Sequence, residues 1–234
     1  NYNTFVNNNG EFILNNISAE GIKNTSNTEI LNASVSDINN YDSGNINVSN
    51  STISNVNNNG VGNIYVNGGT TTNLANISTG YIEAKNGTIT SILNVDSGKI
   101  KLNSIKVLSN KNETLNETFA IRNSKNGTIE ISESSISSSY CGIKNISGNI
   151  TLNSTTITAL GTSASGITNE SGLITLEDSS ISSYYSGSSK LGGMGIYNKN
   201  GIINVNNTSI NEKYISKITG VSNVNGTINI NSNK

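Results

Sequence analysis

The chain contains no His, no Pro and no Trp, and it has one Cys and one Met among 234 residues. Without His, a Ser-His-Asp or Cys-His arrangement is impossible, and His-based metal sites are excluded. A single Cys141 rules out an internal disulfide and suits an exported protein that avoids stray thiols. Set between Tyr140 and Gly142, it reads as a small core or corner residue. Charged residues make up only 12% of the chain, the formal net charge is −1, and Lys is scattered singly. That leaves no basic footprint for nucleic acid and none for an anionic membrane surface. No apolar run approaches the roughly 20 residues of a membrane-crossing helix. No phosphate-binding loop is present, and no cofactor or metal is expected. The chain does not begin with Met and no signal peptide is read at its start, so the expectation is a mature or excised piece.

Asn supplies about one residue in five, and Ser and Thr are also abundant. Apolar residues are 33% of the chain, against about 45–50% in an ordinary globular domain. Such a composition fits either a disordered polar tract or a fold that needs few apolar residues per turn. Near-zero net charge and plentiful Ile, Val and Thr argue against disorder, and a regular pattern decides the matter.

The pattern is an apolar residue, any residue, then Asn. Its Asn residues are Asn8, Asn24, Asn40, Asn58, Asn76, Asn94, Asn123, Asn145, Asn169, Asn198 and Asn223. Two to four residues after each comes a turn residue: Gly10, Ser26, Gly44, Gly62, Gly80, Gly98, Gly127, Gly148, Gly172, Gly201 and Gly226. Two and four residues beyond each of these lie mostly apolar β-formers, as in Ile46/Val48, Ile100/Leu102, Ile150/Leu152 and Ile203/Val205. Nine beyond comes another, for example Val35, Ile53, Ile89, Val107, Ile136, Ile157, Ile181 and Ile210. Asn-to-Asn spacing is 16, 16, 18, 18, 18, 29, 22, 24, 29 and 25, and the extra residues always fall before the next apolar-x-Asn step.

Alternation at plus two and plus four is strand periodicity. Four or five residues of strand cannot bury an apolar face alone. If each repeat makes one coil, equivalent positions stack about 4.8 Å apart into ladders. The fold expected is all-β: a parallel β-helix, or β-solenoid, of about eleven coils of 16–29 residues, roughly 50 Å long. Ile and Val ladders fill its interior and an Asn ladder occupies one corner. Asn carries both donor and acceptor for stacking and tolerates the left-handed backbone of a tight turn. Residues 1–234 then form a single domain. Coils over 1–98 are short, and those over 99–234 are longer, with loop insertions on one side.

At GIKNISGNITLNSTTI (142–157) and GIYNKNGIINVNNTSI (195–210) the chain resembles the right-handed parallel β-helix repeat proteins of microbial cell surfaces, adhesin-like and autotransporter-passenger-like. The likeness lies in the G-I-Y-N…G-x-[IV]-x-[IV]…[ST]-x-[IF] repeat and is clearest after residue 120. It implies a right-handed coil, an exported protein and a surface role. It implies no catalytic residue, because the motif is structural.

Many β-helix proteins cleave polysaccharides with clustered carboxylates. Here Glu130 and Glu133 share one coil, Glu177 and Asp178 lie two coils later, and Thr151 and Asn153 take the matching places between. Glu133 and Asp178 are the best enzymatic candidates, with solvated surface carboxylates the favoured reading. An ice-binding Thr array is disfavoured, because Thr70/Thr72 and Thr88/Thr90 do not extend into a long row. Phe119, Tyr140, Tyr184, Tyr185 and Tyr214 fall in the variable insert and Tyr197 just after it. They are the candidate ligand-binding residues, expected along one edge; the plainer reading is packing of each loop on its neighbour. Asn-x-Ser/Thr sequons such as Asn16-Ile17-Ser18, Asn112-Glu113-Thr114 and Asn207-Thr208-Ser209 arise by chance at this composition and matter only if the source glycosylates Asn.

The repeat pattern is already in register at Val6, and the chain stops just after the strand expected at Thr227–Ile230, with no cap on either side. The expectation is a fragment of a longer array or copies that associate end to end into a fibre. The leading functional reading is a non-catalytic extracellular structural or adhesive surface protein, a cell-surface filament element whose ligand would be a glycan or a neighbouring cell surface. The alternative is a carbohydrate-binding or polysaccharide-degrading module.

Overall fold

A computed structural model describes residues 5–109, 119–161, 164–185, 194–213 and 220–231. Its described residues form 27 strands in two sheets, one of 11 strands and one of 16, and every strand pairing is parallel. Each strand pairs with its counterpart one coil away, so equivalent residues stack. Ile82 pairs with Ile100, Ile100 with Ile129, Ile129 with Ile150, Ile150 with Ile174 and Ile174 with Ile203. The chain is a parallel β-solenoid.

The 11-stranded sheet is built of five-residue strands such as Asn45–Ser49 and Lys99–Asn103. Their second and fourth residues point inward and are buried over most of the sheet, as in Ile46/Val48 and Ile100/Leu102; in the last strand, Thr227–Asn231, Ile230 is exposed. Only two apolar side chains per strand are needed to fill so narrow a core, which accounts for the low apolar content.

The 16-stranded sheet bends. In Thr52–Asn58 the inward residues are Ile53, Val56 and Asn58, and the adjacent Ser54 and Asn55 both face outward. A gap of three instead of two breaks the alternation and turns the strand round a corner. Up to Asn94 one seven-residue strand carries the chain round this bend. From Lys106 onward two strands flank it, as in Ser135–Ser138 with Cys141–Asn145 and Ser180–Tyr185 with Met194–Asn198.

The Asn residues of the repeat end the strands of the bent sheet, and from Asn8 to Asn198 their side chains are buried. Asn145 Nδ2 donates to Asn169 Oδ1 at 2.9 Å, and like bonds link Asn8–Asn24–Asn40–Asn58 and Asn94–Asn123–Asn145–Asn169–Asn198–Asn223. The same amides hold the turn that follows: Asn40 Nδ2 also reaches the Gly44 carbonyl at 2.7 Å and Asn123 Nδ2 that of Gly127 at 2.8 Å. Glycine is needed there for closeness. A Cβ on Gly44 would lie 2.6 Å from both Asn24 Nδ2 and Asn40 Oδ1. The ladder skips two rungs, Asn58–Asn76 and Asn76–Asn94, and leaves Asn76 Oδ1 and Asn94 Oδ1 buried without a partner.

One expectation needs correction. The ladder Asn residues are not the left-handed ones. Next to the ladder, positive φ falls on turn residues, Asp42, Lys125, Gly148 and Gly172, and it forms a full column at the opposite end of the 11-stranded sheet: Asn16, Asn32, Asn50, Gly68, Asn86, Ser104, Glu133, Ser154, Asp178 and Asn207. There the backbone leaves one sheet for the other, and each N–H still bonds to the next coil, as Asn50 N–H does to the Asn67 carbonyl at 2.9 Å. Just inside this corner runs a second polar lock. Ser179 Oγ accepts the Thr155 N–H at 3.2 Å and donates to the Glu177 carbonyl at 2.7 Å; Ser134 does the same for Ile105 and Ser132.

Candidate functional site

The aromatic candidates do not form a row. Phe119 stacks in register over Cys141, whereas Tyr197 pairs with Thr168 and Tyr184 with Leu160. Tyr140 precedes the strand Cys141–Asn145. These four therefore occupy four different columns. Tyr184 is exposed and the other three are half-buried; Arg122 lies 5.5 Å from the Phe119 ring centre. The Tyr185 side chain and all of Tyr214 lie outside the described residues. Cys141 is buried, with Sγ 3.4 Å from the Ile143 carbonyl oxygen.

An aromatic pair that the repeat pattern does not single out lies on the outer face of the 11-stranded sheet. The Tyr65 and Tyr81 rings meet edge to face with centroids 6.0 Å apart. Tyr81 Oη donates to Glu83 Oε2 at 3.0 Å. Burial and this bond to a carboxylate push the Tyr81 phenol well above its ordinary pKa. Along the same face, Asn63 bonds to Asn45 at 2.9 Å and Asn45 to Asn27 at 3.3 Å, an amide ladder that ends against Tyr81.

The carboxylate candidates are separated. Glu130 is paired with Lys99 at 2.6 Å. Glu133 and Asp178 share the left-handed corner column, with Ser154 between them. Two rungs put them about 10 Å apart along the axis, against roughly 5–9.5 Å for carboxylate pairs that cleave glycosidic bonds. Asp178 Oδ1 is also held by Asn207 Nδ2 at 2.5 Å. At the exposed Asp96, the hydrogen-bonded Lys125 ammonium at 2.9 Å holds the carboxyl below its ordinary pKa.

The outer face beyond this corner carries hydroxyls in register. Thr70 pairs with Thr52 and with Thr88, and Thr156/Thr158 pair with Ser135/Ser137 on one side and with Ser180/Ser182 on the other. Thr70 and Thr88 line up on neighbouring coils, but Lys106 and Leu108 interrupt the columns, so no long Thr row forms.

An open groove of about 670 Å³ follows the corner itself. One wall is the left-handed column, Asn86, Ser104, Glu133 and Ser154; the other is the start of the bent sheet, Thr88, Lys106, Ser135 and Thr156. Gly69 and Gly87 open its near end, in the column that carries Ser51, Ile105, Ser134 and Thr155 on other coils. Gly69 has φ +76 and a Cβ there would collide with the Ser51 carbonyl. Among the described residues the Glu133 side chain is reached only by Ser104 Oγ, at 3.4 Å, and Lys106 makes no ion pair. Sequence reasoning found Glu133 and missed the groove, because its walls come from five coils and from residues that look like ordinary turn polars.

No family model, curated protein or solved structure matches this chain. Among the described residues no group of three or more His, Cys, Asp or Glu side chains is placed to hold a metal ion.

Proposed function

We propose that the protein is a non-catalytic structural and adhesive element of an extracellular surface. The observation that carries this reading is that outward amides bond between neighbouring coils on both sheets. Asn45–Asn63, Asp37–Asn55–Asn73 and Asn204–Asn229 bond from coil to coil on the outside, as the buried Asn ladder does within. Side chains committed to stacking make a polar outer surface, which suits spacing and presentation better than turnover. The single buried thiol is compatible with export. Antibody raised against the folded rod should label intact cells of the source. Labelling only after the envelope is permeabilised would overturn the reading.

A second reading, a carbohydrate-binding module, draws support from the corner groove. Its walls carry hydroxyls, an amide, a carboxylate and an ammonium, the groups that bind the hydroxyls of a sugar.

A further inference from the structure

We infer that the corner groove binds a linear, uncharged glycan lying parallel to the rod axis, with Glu133 and Lys106 as its two principal contacts. This rests on the carbohydrate-binding reading and names its site. The walls run over five successive coils, from Gly69 to Thr156. Five coils span about 20 Å, so the groove suits a chain rather than a single sugar. Each of the last four coils presents a facing pair: Asn86 with Thr88, Ser104 with Lys106, Glu133 with Ser135, and Ser154 with Thr156. Hydroxyl and amide groups both donate and accept, as sugar hydroxyls do. One carboxylate and one ammonium leave the groove without net charge, which favours an uncharged ligand over a uronate or sulfated one.

Glu133 supplies an independent sign. It sits at φ 50, where most of its column holds Asn, Gly or Ser. Outside Asn, Asp and Gly that conformation is disfavoured. The Glu side chain stands free enough to meet a ligand, with one long bond from Ser104. Local strain of this kind persists where function requires the residue. Thr88, Ser135 and Thr156 share a wall with Lys106 and face Asn86, Glu133 and Ser154 across a groove that closes on no protein partner among the described residues.

The test is affinity electrophoresis of the whole chain through gels containing, in turn, hydroxyethylcellulose, xylan, galactomannan and soluble starch. A reducing-sugar assay is run on the same mixtures. Retardation by at least one polymer is expected, weakened at least tenfold in Glu133→Asn and in Lys106→Ala. Glu133→Asn is also expected to melt at a higher temperature than the wild type, because Asn accepts the left-handed backbone. Loss of binding in a variant that is more stable cannot come from misfolding. Absence of retardation in all four polymers, or wild-type retardation of both variants, overturns the groove and leaves the surface-rod reading standing. Release of reducing ends together with retardation supports the groove and overturns the non-catalytic reading.

Discussion

Asn145 Nδ2 lies 2.9 Å from Asn169 Oδ1, and the two side chains are fully buried although 24 residues separate them in the chain. The bond is one rung of a ladder that runs from coil to coil along one corner, and the same nitrogen reaches the carbonyls of Gly148 at 3.3 Å and Ser171 at 3.2 Å. One amide thus ties two coils together and closes the turn between the sheets.

Asn145→Ala removes that tie and leaves buried acceptors unpaired. The expected loss is roughly 1–3 kcal/mol for the unsatisfied groups, read as a lower urea midpoint at unchanged slope. Wild-type stability would mean that water satisfies the corner as well as the amide does.

Ser179→Ala should also be costly, although the sequence gives Ser179 no distinction. Its hydroxyl accepts from Thr155 N–H and donates to the Glu177 carbonyl while 6% exposed. Loss of both bonds predicts roughly 1–3 kcal/mol of destabilisation. The outward Ser182, one position past Ile181 on the same strand, should be neutral within about 0.5 kcal/mol when replaced by Ala. Equal effects from Ser179 and Ser182 would remove the corner lock from the account.

Gly44→Ala should be severely destabilising, because the new Cβ would lie 2.6 Å from two ladder amide atoms and 2.9 Å from the Ser26 carbonyl oxygen. Gly10→Ala meets nothing within 4 Å and should be tolerated. Thermal melts of the two variants check the contrast.

Tyr81 predicts an alkaline limit. Burial first, and then the Glu83 carboxylate, raise its folded pKa above the unfolded value of about 10. The folded state then holds the phenol proton more tightly than the unfolded chain. This contribution to stability is complete below about pH 10 and is lost as pH climbs towards the folded pKa. Tyr81→Phe should flatten the alkaline fall in melting temperature. A fall of unchanged steepness in that variant would assign it to other groups.

Much of the solenoid could be read from the chain because its period is written in residue types that stack on themselves. Ile82, Ile100 and Ile129 lie at equal offsets from Gly80, Gly98 and Gly127, and register follows from offset alone. The dual task of Asn40, which bonds both to the next Asn and back to Gly44, was not legible, since the sequence does not say how closely the turn folds back on the side chain. The left-handed column was assigned to the wrong Asn for a related reason. Asn suits either corner, and Ser104, Glu133 and Ser154 disguise the column that requires positive φ. The corner groove was beyond reach because Lys106 and Glu133 become neighbours only when their coils stack. The aromatic candidates were grouped by sequence position, and stacking sends Phe119, Tyr184 and Tyr197 to separate columns.

The most direct test of the account is a pair of double-mutant cycles, Asn145→Ala with Asn169→Ala and Asn58→Ala with Asn76→Ala, read by chemical denaturation. The ladder bond at 2.9 Å joins the first pair, and no side-chain bond joins the second. A coupling of about 0.5–3 kcal/mol is expected for the first pair, and a clearly smaller one for the second, which stacks without the bond. Equal coupling in both, or none in the first, would contradict the claim that the buried amides hold successive coils together.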